Sequence, residues 1–344
     1  MEKRVTIYDI ANYLGVSTAT VNRAINGKPK VREETRQMVL KTAQKMGFRV
    51  NRVAKSLARK PMRIGVLVSA SIPDFINEVV RGARVACEEL ADFNVTGDFF
   101  ITEKPNCRQE FMEKLTEMSK EPYDGVILIP NTDTRGYQDI IKEMVKRNIV
   151  PITVVTDDIK DSERAFSVRT NGRLAGKMAA ELLWWFTKGE PVAIFTGNKE
   201  IGIHRETIEG FMEGLKDKPM DLVAIFENQD DPDIAYIATE KLVREYPDIK
   251  GLYINSSNSA TVCRKITEMG VKGKIKIVAS DIFPELKRYI EEGVVQATIF
   301  QDAYSQGRLA FKCLYEHIAE GKKFEEHILI KPQIVLRSNL ELFI

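Results

Sequence analysis

Histidine and cysteine are scarce in this chain, and their scarcity removes whole classes of chemistry. The four cysteines, Cys87, Cys107, Cys263 and Cys313, are scattered and form no C-x-x-C pair. That spacing speaks against a zinc site and a disulfide framework, and it suits a reducing cytoplasm. The three histidines, His204, His317 and His327, are too few and too dispersed to promise a metal site; surface or groove-lining positions account for them. No P-loop is present, no G-x-G-x-x-G follows a strand, and three distant histidines assemble no Ser/His/Asp set. The expectation is a protein that is not an enzyme and holds no cofactor or metal. No apolar stretch of signal-peptide type is found among the first residues and no run approaches a membrane span, which gives a cytoplasmic expectation. Low-complexity segments and internal repeats are absent too, and 344 residues suffice for two or three domains.

What the chain does have is charge, unevenly placed. Within residues 1–60, fourteen Lys and Arg stand against Glu2, Asp9, Glu33 and Glu34. The whole chain carries a formal net charge of only +2, so residues 61–344 are net acidic. A basic head on an acidic body is an electrostatic footprint for nucleic acid.

The head reads as three short helices. Thr6-Ile7-Tyr8-Asp9 has capping-box form. Ile7, Ile10, Ala11 and Leu14 follow at helical spacing, and Gly15 stops that helix. Ser17 caps a second helix that carries Val21, Ala24 and Ile25 inward and ends at Asn26-Gly27. A third runs from about Arg32 to Met46, with Val39, Leu40, Ala43 and Met46 facing in. Two short helices joined at Gly15-Val16-Ser17 match a helix-turn-helix, whose second helix enters the major groove. Thr18, Ala19, Asn22 and Arg23 face outward there. Arg23 has the fork that grips guanine O6 and N7, while Thr18 and Ala19 suit a thymine methyl. Ser17, Thr20, Tyr8 and Asn26 are the right types to hold phosphates, and Thr6 joins the candidate DNA-contacting set. A plain three-helix bundle with a solvated face is the alternative, and the positive surplus weighs against it.

These residues resemble the headpiece of the lactose-repressor (LacI/GalR) family. Val5, Thr6, Ile7, Asp9, Ile10, Ala11, Gly15, Val16, Ser17, Thr20, Val21, Arg23, Ile25 and Asn26 fall on its pattern. So do Val31, Thr35, Arg36, Val39, Gly47, Phe48, Asn51, Ala54, Ser56 and Leu57. Three departures stand out: Asn22 and Arg32 where the family has Ser, and Val50 where it has Pro. The resemblance implies a hinge helix over Asn51 to Ala58, marginal alone and stabilised as a pair in the minor groove. Leu57 would be the apolar wedge that kinks DNA, Ala54 would sit in the groove, and Asn51, Lys55 and Arg59 would meet phosphates. By residues alone, a flexible linker is the preferred reading of this segment.

From Arg63 onward, strands and helices alternate. Strands are expected at Ile64–Val68, Val95–Ile101, Gly125–Ile129 and Ile152–Val155. After a polar break around Lys160–Glu163 they resume at Val192–Thr196, Leu222–Glu227, Gly251–Ile254, Ile275–Ala279, Val295–Phe300 and a last Ile328–Leu336. Two βαβ lobes imply a cleft, with ligand beyond the carboxyl ends of the strands. The strand-end loops there hold Ser71, Asn131, Asp157, Asn198, Ser256, Asp281 and Gln301, an inventory for hydrogen-bonding a polyhydroxylated small molecule.

The body resembles the family's effector domain, itself similar to periplasmic sugar-binding proteins. Asp124-Gly125-Val126, Asn171 with Ala175-Gly176, Arg205 with Gly210-Phe211, Asp281, Gln301 with Gly307-Arg308, and Pro332 with Arg337 carry that resemblance. It implies ligand contacts from Ser71, Phe75, Asp157, Arg205, Ser256, Asp281 and Gln301. Where the family has N-P-F-F, this chain has Ile72-Pro73-Asp74-Phe75, which leaves one aromatic wall missing.

The implied fold is an all-α helix-turn-helix headpiece plus an α/β two-lobed periplasmic-binding-protein-like domain with parallel sheets and three crossovers. The implied divisions are 1–50 for the headpiece, 51–61 for the hinge, 62–161 with 295–322 for the first lobe, and 162–294 with 323–344 for the second. The implied activity is a ligand-responsive transcriptional regulator, most simply a repressor, that binds a near-palindromic operator as a homodimer. Its effector is most simply a sugar; a nucleobase or sugar phosphate, or a solute-binding receptor without regulation, are the rivals.

Overall fold

The computed structural model describes residues 5–25, 29–48, 60–105, 107–130, 133–159 and 161–343. The chain divides into two compact units, Met1–Lys60 and Pro61–Ile344.

The first unit is three helices: α1 (Ile7–Leu14), α2 (Thr18–Ile25) and α3 (Glu33–Lys45). Thr6 and Asp9 form the reciprocal capping box that starts α1, with the Thr6 amide donating to Asp9 Oδ2 at 2.7 Å. Gly15 ends α1 at φ 63°, a conformation that costs a side-chain-bearing residue energy and costs glycine none. Ser17 Oγ then accepts the Thr20 amide at 3.1 Å and starts α2. Arg32 precedes α3 without any side-chain cap, the local weakness its substitution for Ser implies. Ile10, Ala11, Val21, Ala24, Val39 and Ala43 make the core. Leu40 is not part of it: it is 40% exposed, and Thr42 is buried instead. Val39, Thr42, Ala43 and Met46 keep the three- and four-residue spacing of one helix face, and Leu40 lies off that stripe.

The second unit holds two six-stranded sheets. Its elements are β1 (Met62–Val68), α4 (Pro73–Glu89), β2 (Val95–Ile101), α5 (Arg108–Met118), β3 (Gly125–Ile129), α6 (Tyr137–Lys146), β4 (Val150–Val154) and β5 (Ser167–Thr170). There follow α7 (Gly172–Thr187), β6 (Val192–Thr196), α8 (Gly202–Leu215), β7 (Leu222–Glu227), α9 (Pro232–Glu245), β8 (Gly251–Asn255), α10 (Ser259–Glu268), β9 (Lys276–Ser280), α11 (Pro284–Glu291) and β10 (Val295–Phe300). Then come α12 (Ala303–Glu320), β11 (His327–Ile330) and β12 (Gln333–Val335). The first sheet runs β11-β5-β4-β3-β1-β2, all parallel. The second runs β12-β10-β9-β8-β6-β7, with only β12 antiparallel. Central strands such as β3 and β6 are buried along their whole length, as strands covered on both faces must be.

The three crossings between lobes fall in different places from those expected. β10 stays in the second lobe, paired in parallel with β9; only α12 returns to the first. The chain leaves the sheet at the polar pair Gln301-Asp302, where Asp302 turns at φ 55° and accepts the Ser305 amide to cap α12. The expected final strand is two strands in two sheets, because Pro332 has no N–H to continue a ladder. β5 lies inside the span assigned to the second lobe, yet it belongs to the first sheet, between β4 and β11. Ser-Val-Arg-Thr offers too short and too polar a signal to announce a strand.

Each lobe contains one helix pair in backbone contact. A Cβ at Gly176 of α7 would overlap the Thr207 carbonyl of α8, and one at Gly210 would overlap that of Arg173. In the first lobe, Gly82 of α4 meets the Tyr304 carbonyl and Gly307 of α12 meets that of Val79. These glycines set how closely the helices, and therefore the strand ends they follow, can be brought together.

Candidate functional site

Two regions carry functional chemistry, one in each unit. In the headpiece, the Gly15 turn places the exposed face of α2 clear of the core. Ala19, Asn22 and Arg23 are exposed and Thr18 is partly so. Arg23 makes no hydrogen bond or ion pair with any described residue, so its guanidinium is available. Tyr8 on α1 is 71% exposed, which suits a phosphate contact and no role in packing. Thr6 and Ser17 are each committed locally: Thr6 to its capping box, Ser17 to the Thr20 amide and to the Thr20 hydroxyl at 2.9 Å. Asn26, Asn51, Ala54, Lys55 and Leu57 lie outside the described residues.

In the second unit, a cavity of ≈ 230 Å³ lies between the lobes at the carboxyl ends of the strands. The first lobe lines it with Ser71, Ile72, Phe75, Ile76, Ile129, Pro130, Val155, Thr156 and Asp158. The second lobe supplies Asn198, Ile201, Ile203, His204, Gln229, Asp230, Asn255, Ser256, Ser257, Ser280, Asp281, Phe283 and Gln301. Ser71, Phe75, Ser256, Asp281 and Gln301 are therefore brought together as the sequence suggests. Phe283 stands on the opposite lobe from Phe75, so the second aromatic surface that the Ile72-Pro73-Asp74-Phe75 run lacks is supplied from β9's end.

Asp157 and Arg205 do not line the cavity. Arg164 clamps both Asp157 oxygens, Thr153 donates to Oδ1 at 2.9 Å, and His327 stands 3.6 Å away, so the carboxylate is turned back against the sheet. Its neighbour Asp158 faces the cleft instead. Arg205 donates to the Glu200 carbonyl at 3.1 Å and reaches Asp158 only at 3.7 Å, behind the cavity wall. Asp158, Gln229 and Asp230 are polar lining residues absent from the predicted ligand set. The Thr156-Asp157-Asp158 loop was visible, but alternate residues of a turn face opposite ways and composition does not say which. Gln229 and Asp230 both sit at positive φ, 55° and 56°, in the turn after β7. Asn and Asp tolerate that region, so Asn228-Gln229-Asp230 is a turn signal that could have been read.

Burial and hydrogen bonding set the electrostatics. Asp281 is buried; Oδ1 accepts the Gln301 amide at 2.9 Å and Oδ2 its side-chain nitrogen at 2.7 Å. Desolvation outweighs both bonds and pushes its pKa up to about 7. Burial also raises Asp158, opposed by the Thr156 hydroxyl and the Gly202 amide. That Gly202 N–H donates to Asp158 Oδ1 at 2.7 Å across the cleft, and Arg169 of β5 pairs with Glu206 of α8 at 2.5 Å, also from lobe to lobe. At the crossings, Gln306 donates to the Thr170 hydroxyl and the Gln301 carbonyl, Thr170 to the same carbonyl at 2.8 Å, and the Asn171 amide to Ile330 at 3.0 Å. The three connecting strands are thus tied to each other.

Comparison with known proteins agrees with this division. Residues 6–51 match the model of the bacterial regulatory proteins of the lacI family, and residues 64–323 match a periplasmic binding protein domain. Over 98% of both chains, the sequence is 27% identical to the HTH-type transcriptional repressor PurR of Vibrio parahaemolyticus. It is 28% identical to catabolite control protein A of Priestia megaterium over 74% of this chain and 75% of that one. Among solved structures, a glucose-galactose binding protein from Geobacillus stearothermophilus superposes with a TM-score of 0.73 at 26% identity, covering 82% of this chain and 99% of that one.

Proposed function

The chain belongs to the LacI family of bacterial regulatory proteins, and from that premise we propose how its two units divide the work of a ligand-responsive repressor. The headpiece binds duplex DNA, with α2 in the major groove. Arg23 reads a guanine, Thr18 and Ala19 contact neighbouring base edges, and Tyr8, Ser17, Thr20 and Asn26 fix the phosphates. Two chains act together as a homodimer on an inverted repeat in the cytoplasm. Residues 51–58 form the hinge, with Leu57 as the wedge at the centre of the site. The effector is a small polar molecule held between the lobes, a sugar or a relative of one.

The observation that supports this reading most is the cavity between the lobes. Strand-end loops of both sheets build it, so an occupant contacts both lobes at once. A molecule held by both favours one lobe angle over another, and only such differential contact shifts an equilibrium. A solute receptor has the same lobes but no use for a basic helix-turn-helix, and the headpiece match supports the regulator over it.

Selection of binding sites from a random duplex library, followed by fluorescence anisotropy with and without sugars, tests the proposal. Recovery of an inverted repeat whose affinity changes when a cleft ligand is added is the expected result. Binding without sequence preference, or with a preference no ligand alters, would sink it.

A further inference from the structure

We infer that the effector carries a positive charge: it is a small hydroxylated amine, of the size of an amino sugar. This rests on the cleft being the effector site and names what that cleft is built to take.

The inference begins with a count of charges. Asp158, Asp230 and Asp281 line the cavity, and among the described residues no Lys or Arg does. Arg205, outside the lining, stands 3.7 Å from Asp158 and donates to the Lys199 and Glu200 carbonyls. Lys199 faces Glu227 at 3.7 Å. A phosphoryl group or carboxylate entering here would meet three carboxyl groups, Asp281 among them with its pKa raised by burial, and no Lys or Arg on the wall, in a place where water is displaced and repulsion is poorly screened.

Hydrogen bonding then separates the three acids. Both oxygens of Asp281 are taken by Gln301, and both of Asp158 by Thr156 and Gly202. Asp230 differs. Its Oδ1 accepts the Ser257 amide at 3.1 Å and the Ser257 hydroxyl at 3.2 Å, but its Oδ2 accepts from no described residue. A ligand's donor can therefore meet that oxygen without displacing a described protein partner. The His204 ring lies beside it: a Cβ on Gly197 would run into both His204 and Asp230 Oδ2. His204 is 8% exposed, and its Nδ1 is buried without a partner. The same corner of the pocket therefore holds a carboxyl oxygen that accepts from no described residue and a buried ring nitrogen without a partner.

The remaining walls agree. Phe75 and Phe283 line the cavity from opposite lobes, and an aromatic ring attracts a cation placed over its face. Ser256, Ser257, Asn198 and Asn255 supply donors and acceptors for hydroxyls. A cavity of ≈ 230 Å³ is small for a ligand pocket, so it suits one ring or a short chain better than a nucleotide.

Isothermal titration of the full-length protein with matched ligands decides the matter. The amines are D-glucosamine, D-galactosamine and N-methyl-D-glucamine; the references are D-glucose, D-galactose, D-sorbitol, N-acetyl-D-glucosamine and D-glucose 6-phosphate. At least one amine is expected to bind about tenfold or more tightly than its uncharged counterpart, a difference of about 1.4 kcal/mol. Asp230→Asn, which keeps an oxygen for the Ser257 amide, should erase that preference. An uncharged or phosphorylated ligand that binds as tightly as its amine overturns the inference and leaves the cleft as effector site standing. If none of the panel binds while an unrelated neutral or anionic molecule in the cleft alters DNA affinity, the inference again falls alone. Failure of every small molecule to bind the cleft removes both.

Discussion

Two residues show how far a side chain's type predicts its work. The exposure of Arg23 was legible because the helix-turn-helix fixes which face of α2 is outward, and a guanidinium on that face suits a base contact. Arg23→Ala should lose about 1–3 kcal/mol of discrimination at one base pair of each half-site while leaving the melting temperature unchanged. Site selection with the variant measures this, and unchanged selectivity would remove Arg23 as a base reader. Asp281 was legible as a pocket residue but not as a weak acid, because nothing local in Ser280-Asp281 reports its burial. Its folded pKa of about 7 lies above its ordinary 3.8. Between those values the native state keeps a proton the unfolded chain has lost, so this group makes stability fall as pH rises from about 4 to 7. Below that window both states are protonated, and above it the penalty is constant. Asp281→Asn mimics the protonated acid, so its stability relative to wild type should rise between pH 5 and 7.5. Urea midpoints at several pH values read this directly, and a pH-independent difference would contradict the assignment. Arg205 and Asp157 illustrate the opposite case. Their residue types suit a sugar contact, but Arg164 and the main-chain carbonyls hold them elsewhere, and those partners, though within seven residues, carry no mark in the sequence.

At the scale of elements, periodicity located nearly every helix and strand of the body, because buried parallel strands are apolar along their length and the helices between them are amphipathic. What periodicity does not carry is partnership. β10 looks the same whether it pairs with β9 or with a strand of the other lobe, and only the turn chemistry at Gln301-Asp302 marks where the chain departs. β5 escaped because four mostly polar residues have no period. The glycine pairs are the more informative signal. Gly176 and Gly210 sit where α7 and α8 touch through their backbones, and Gly82 and Gly307 do the same for α4 and α12. A methyl group there must push two helices apart against carbonyl oxygens, which cannot rotate away as a flexible side chain can. Gly210→Ala should therefore cost about 1–3 kcal/mol or more, seen as a lower urea midpoint with an unchanged slope. A midpoint within error of wild type would show that the pair separates freely.

For the whole molecule, the question is how an occupied cleft is felt by the DNA-binding unit. In this arrangement the lobes meet through two bonds that a change of lobe angle would have to stretch or break: Gly202 to Asp158, and Arg169 to Glu206. The second pair is useful because neither residue lines the cavity. Arg169 is mostly buried and Glu206 about a third exposed, so the pair is worth more than a surface ion pair but less than a fully buried one; about 1 kcal/mol is a fair scale. Glu206→Gln removes the charge and keeps the shape. It lowers the population of the closed arrangement, and a ligand that needs that arrangement then binds more weakly by the same fraction. A loss of about 1 kcal/mol corresponds to about fivefold in effector affinity, with no contact to the effector touched. Because coupling between two binding sites is reciprocal, operator DNA must change effector affinity by the factor with which effector changes operator affinity. In the variant, both factors should shift together. Titrating effector with and without operator, in wild type and in Glu206→Gln, supplies all four affinities. Effector affinity unaltered by the substitution would show that this ion pair forms equally at either lobe angle, and would leave the Asp158–Gly202 bond as the contact that distinguishes them.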